Sequence, residues 1–121
     1  MQRDPRAFLW DVRESVHDIQ TFTAGLDAQA YEASALVQAA VERKFEVIGE
    51  ALNQLSKVDG ALAARVPDLP RIVAFRNQLI HGYARIHAGT VWHIAATSLP
   101  ALLVVVQSLL DEQDPGASAK S

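Results

Sequence analysis

The chain has 121 residues, half of them hydrophobic, and carries 11 Lys and Arg against 14 Asp and Glu for a net charge of −3. That length buries one core and leaves room for a partner to finish an apolar face, while the acidic balance argues against a generic nucleic-acid-coating protein. Cysteine is absent, which excludes a disulfide framework and thiol chemistry.

Asp4 and Pro5 form an N-cap and first-turn proline, and Phe8, Val12, Val16, Ile19 and Phe22 mark one face of a helix running to about Ala24. His17 falls on the polar side of that helix, among Asp11, Glu14 and Asp18, and reads as solvated. Gly25, Leu26 and Asp27 break the pattern, and Asp27 can cap a short helical turn through Tyr31. The longest helix is predicted from about Ser34 to Lys57, with Val37, Val41, Phe45, Ile48, Leu52 and Leu55 on its apolar face. Glu42, Arg43, Glu46 and Glu50 lie opposite.

Gly49 lies in the middle of that helix, where glycine costs about 1 kcal/mol relative to alanine. Its presence points to a backbone that another element approaches closely. Two readings of Glu50 stand side by side: a carboxylate that orients Arg76 or His81, and a solvated acid on an amphipathic helix.

Asp59 and Gly60 end the long helix, and "ALAARVPDLP" makes a short helical turn and a proline-punctuated connection. Asp68 can then cap a helix with Leu69 and Pro70 in its first turn, whose apolar positions Leu69, Ile72, Val73, Leu79 and Ile80 carry it to about Gly82. After Tyr83 and the loop "ARIHAGT", a last helix runs from Ala88 or Thr90 to Glu112, with Pro100 inside it. Its Leu102, Leu103, Val105, Val106, Leu109 and Leu110 are apolar on more than one face, an excess that a subunit interface would explain. Residues 1–112 thus form one all-α domain, an up-and-down bundle of four main helices with extra short ones, and 113–121 form a polar tail. No apolar run approaches the length of a membrane span, and the opening "MQRDPRAF" lacks the apolar stretch of a signal peptide, so the expected location is the cytoplasm.

The chemistry concentrates in "RNQLIHGY", residues 76–83. Arginine offers a permanently charged planar fork suited to phosphate, and histidine exchanges a proton near neutral pH. Asn77 and His81, one turn apart, share a helix face, with Arg76 to one side. Such a group suits cleavage of an RNA phosphodiester by its own 2′-hydroxyl, which needs no metal when one group takes a proton, another gives one, and a cation steadies the phosphate. One copy holds a single motif histidine, so a two-fold dimer would bring two to one seam. The plainer alternative is that His81 answers the helix dipole while Arg76 caps carbonyls or pairs with a carboxylate.

From Leu69 to Leu110 there is no Asp or Glu, while Arg71, Arg76, Arg85, His81, His87 and His93 lie there. The face this segment forms should be positive, although from Pro100 to Leu110 the lack of acids reflects packing. His81, His87 and His93 are six apart, off any single helical face, and neither a metal nor a cofactor is expected.

The string "RNQLIHGY" resembles the R-x4-H-x-Y signature of HepT-type toxins in the HEPN superfamily. "FEVIGEAL", residues 45–52, resembles that family's I-G-E-A segment, and "VWHIAATSLPAL", residues 91–102, its final helix. The likeness spans roughly residues 5 to 112. It implies a homodimeric, HEPN-like, metal-independent endoribonuclease toxin of a toxin-antitoxin pair, its site lying where two motif helices meet. Arg76 would bind the scissile phosphate, His81 would serve as general acid or base, and Asn77 would hold His81 or the phosphate in place. The resemblance also implies that Tyr83 is adenylylated by an MntA-type nucleotidyltransferase antitoxin, blocking the site by bulk and charge. This chain has Arg85 and His87 where relatives often carry an acidic residue, which bears on substrate preference and partner docking. A domain of the same kind that binds a nucleotide or protein partner without cutting RNA is the alternative.

Overall fold

Side-chain caps start most of the helices. In a computed structural model, which describes residues 3–81 and 86–113, Asp4 accepts from the Arg6 N–H, Asp27 from Ala30, Ser34 from Val37 and Asp59 from Leu62. Each satisfies a donor that the first helical turn leaves unpaired. The described residues form α1 (Pro5–Thr23), α2 (Ala28–Glu32), α3 (Ala35–Val58), α4 (Gly60–Ala63), α5 (Leu69–His81) and α6 (Ala88–Gln113). The fold is all-α, with the four longer helices α1, α3, α5 and α6 as its frame. Gly25, at φ +78°, makes the turn after α1, a conformation that glycine adopts without steric cost.

α3 lies at the centre. It packs against α1 on one side and α5 on the other, and α1 packs in turn against α6. The expected apolar faces supply the core: Phe8, Val12, Val16 and Ile19 from α1, and Val41, Phe45, Ile48, Leu52 and Leu55 from α3, are all buried. Each such side chain contributes about 1.5–3 kcal/mol through removal from water. Phe22 departs from the pattern and is exposed at the last turn of α1. His17 is exposed as expected, with Glu14 at 4.0 Å.

Three expectations are corrected. Asp68 precedes α5 at φ +60°, a left-handed backbone and not the extended geometry usual for a capping residue. Its carbonyl accepts from the Ile72 N–H, and its carboxylate faces Arg71 at 3.8 Å. The apolar excess of α6 is mostly absorbed within the chain: Leu102, Val106, Leu109 and Leu110 are buried, Leu103 and Val105 half-buried, and Val104 is the residue left open. Finally, Ala88–Glu112 is long and apolar enough to cross a membrane, by length and composition. Scattered Thr, Ser and His interrupt its apolar run but are outweighed by its Leu, Val, Ile and Ala, and its buried residues form core.

The end of α6 is tied down by a fork of two hydrogen bonds from Arg65 to Glu112, at 2.9 and 2.8 Å. The guanidinium holds the Glu112 carboxyl below its usual range. Between α3, α5 and α6 lies a cavity of about 350 Å³, walled mainly by Phe45, Ile48, Ile72, Phe75, Ile94 and Leu99. Phe45 and Phe75 meet edge to face there, their ring centroids 5.2 Å apart, a favoured arrangement of aromatic quadrupoles.

A candidate catalytic cleft at the motif helix

Gly49 sets the distance between α3 and α5. A Cβ added there would overlap Arg76 Cβ and come within 2.6 Å of Arg76 Cγ, so only glycine lets the stem of Arg76 cross α3 at this height. The arginine then reaches along α3 to the next residue. Its Nη2 donates to Glu50 Oε2 at 2.6 Å, and its Nη1 donates to Asn77 Oδ1 at 2.9 Å. The other Glu50 oxygen accepts from Gln54 Nε2 at 2.9 Å.

These contacts restrain both ends of the guanidinium. Arg76 is mostly covered, its side chain 21% exposed, and its Nε is buried without a hydrogen-bond partner among the described residues. A guanidinium has five N–H donors, so one on each terminal nitrogen remains for an external acceptor. An ion pair this close to solvent adds little stability. Its consequence is orientation.

Asn77 is half-buried, and His81, one turn further along the same face, is exposed as the last residue of α5. Arg76 lies five residues before His81, about 140° around the helix. The structure therefore joins Arg76, Asn77, Glu50 and Gly49 in one contact network, with His81 at the end of the helix that carries it. Gly82, Tyr83 and Arg85 lie outside the described residues, as do residues 114–121 of the tail. His87 and His93 are exposed on α6 and the turn before it, where their carbonyls accept from Thr90 and from the Thr97 hydroxyl.

Gln54 was not anticipated from the sequence. The available signal was its place one turn after Glu50, on the same face of α3. Glu50, Gln54 and Arg76 line a cleft of about 730 Å³ between the start of α1, the polar face of α3 and the side of α5 that bears Arg76 and Ile80, while Asn77 and His81 lie outside its lining. Chemically, Arg76 can hold a phosphate oxygen and His81 can move a proton, while one chain supplies a single motif histidine where acid and base are both wanted.

A family model described as Ribonuclease HepT-like matches residues 12–109. Among curated proteins, the chain is 32% identical over 103 residues to one from Methanocaldococcus jannaschii named Putative RNase MJ1216, covering 84% of this chain and 83% of that protein. A second protein of the same organism, named Putative RNase MJ1380, is also 32% identical over 103 residues, with 84% and 92% covered. A protein of Thermococcus cleftensis named Probable ribonuclease HepT is 26% identical over 102 residues, with 84% and 92% covered. No solved structure matches the chain.

Proposed function

Because the chain belongs to the HepT-like ribonuclease family, we propose that it is an endoribonuclease that cuts RNA without a metal ion, using Arg76 and His81. The observation that carries this reading is the fixed arginine: Glu50 and Asn77 hold its guanidinium with donors to spare, on the helix that ends in His81. Arg76 binds and neutralises the phosphate as charge builds on it, an effect worth about 10²–10³ in rate for a single donor. His81 takes the 2′-hydroxyl proton or delivers one to the leaving 5′-oxygen, worth about 10²–10⁴. The 2′-oxygen bonds to phosphorus as the bond from phosphorus to the 5′-oxygen breaks.

A two-fold homodimer supplies the second histidine. Its support is that α5 has no fully buried residue, although Val73, Phe75 and Leu79 pack partly against the core, so apolar surface on the motif helix remains for a second copy. In this reading the protein is the toxin of a pair, and adenylylation of Tyr83 by a nucleotidyltransferase antitoxin silences it. Tyr83 follows His81 by two residues, close enough for the added bulk and negative charge to obstruct a phosphate site.

The test uses purified protein, an RNA panel and EDTA. Wild type is expected to cut, and Arg76→Ala and His81→Ala are expected to lose activity at least a hundredfold. Equal inertness of all three proteins would favour the module that binds without cutting. Intact mass after co-expression with the antitoxin checks the modification, which requires whole AMP increments that map to Tyr83.

A further inference from the structure

The cleft that holds Arg76 continues well beyond it in both directions along α3. Arg43, Glu50 and Lys57 are spaced seven residues apart, which places them on one stripe of the helix at steps of about 10 Å. All three line the cleft. Glu50 is the anchor of Arg76, so the stripe presents cations at three heights: Arg43, the Arg76 guanidinium and Lys57.

The lining groups number four cations, the fourth being Arg3, against three carboxylates, in a chain whose overall charge is −3. Arg43 is 71% exposed and only loosely paired, with Glu46 at 3.6 Å. Lys57 is exposed and has no carboxylate partner among the described residues. Ile80, 41% exposed and one turn after Arg76 on α5, adds apolar surface to the same cleft.

We propose that this cleft seats one unpaired RNA strand, with Arg43 and Lys57 holding phosphates on either side of the one at Arg76 and Ile80 covering a base or ribose between them. The assignment rests on the ribonuclease reading and adds the form of the substrate. Attack by a 2′-hydroxyl needs the 2′-oxygen, phosphorus and the 5′-oxygen in line, which the A-form duplex prevents, so the strand at Arg76 must be unpaired. Posts along one stripe of one helix follow a single backbone. Phosphate contacts of this kind position a strand without reading its sequence, so the cleft gives register and strand form, not base identity.

The experiment is equilibrium binding of fluorescein-labelled oligouridylate, and of the same oligomer annealed into a duplex, by the His81→Ala protein over a salt series. Arg43→Gln and Lys57→Gln are each expected to flatten the slope of log affinity against log salt by about 0.7, the value for one phosphate contact on a single strand. Glu46→Gln should tighten binding several-fold, because it removes a carboxylate from the cleft. Lys44→Gln, whose residue pairs with Asp18 at 2.9 Å outside the cleft, should leave binding unchanged. The duplex should bind more weakly than the free strand. Unchanged slopes in both cleft variants, or a duplex bound as tightly as the single strand, would overturn the assignment while a wild type that cuts RNA keeps the ribonuclease reading intact. A protein that neither binds nor cuts RNA overturns both.

Discussion

Adding one methyl group at Gly49 is expected to damage both stability and activity, because the space it needs is occupied by Arg76, the arginine proposed to hold the phosphate. A Cβ at this position would overlap Arg76 Cβ and lie 2.6 Å from Cγ. These atoms belong to the base of the side chain and cannot swing aside as a flexible tip would, so α3 and α5 must separate. Overpacking of this kind costs about 1–3 kcal/mol, and alanine returns about 1 kcal/mol of helix propensity, leaving a net loss of up to about 2 kcal/mol. Displacing the guanidinium by even an ångström should lower kcat about a hundredfold. Urea unfolding followed by circular dichroism, with RNA cleavage on the same samples, measures both. Gly60→Ala is the control, since nothing lies within 4 Å of the added carbon. That substitution is expected to be neutral, or to stabilise by up to about 1 kcal/mol. A Gly49→Ala protein as stable and active as Gly60→Ala would refute the close-packing argument.

Glu50→Ala should free the guanidinium and lower kcat by about tenfold or more with little change in melting temperature, while Glu50→Gln, which keeps an oxygen acceptor for Arg76, should recover part of the rate; equal rates in both variants and wild type would remove Glu50 from the site. Tyr31 is fully buried with its hydroxyl unpartnered among the described residues, and burial first, with the Glu42 charge second, pushes its pKa from 10.0 up to about 12. The stability due to the neutral buried phenol is therefore present below pH 10 and lost as pH rises towards 12. Tyr31→Phe should match or exceed wild-type stability at neutral pH and should lack that alkaline loss; a neutral-pH loss above about 1 kcal/mol would mean that the hydroxyl has a partner after all.

The helices were legible because their signals are local. Asp4, Asp27, Ser34 and Asp59 announce helix starts by residue type, and the apolar spacing of α1 and α3 states which faces go inward. Gly49 was legible for a different reason: a residue that weakens a helix needs a compensating contact, and Arg76 supplies it. The pairing of Glu50 with Arg76 spans 26 positions, so spacing alone left it level with a solvated carboxylate. Gln54 was missed because nothing in its own surroundings marks it as the second support of Glu50. The left-handed Asp68 was missed because aspartate suits both a cap and that backbone region. In α6, a run apolar on several faces fits an interface as well as a buried seam, and only the packing of α1 against it decides.

The most direct measurement is the chemistry of the cut ends. Mass spectrometry of the fragments released in EDTA should find a 2′,3′-cyclic phosphate on one side and a 5′-hydroxyl on the other, and a 2′-deoxy nucleotide at the cut position should abolish cleavage there. Fragments ending in 3′-hydroxyl and 5′-phosphate, or cleavage that persists without the 2′-hydroxyl, would contradict a site in which Arg76 and His81 turn the RNA's own hydroxyl on its backbone.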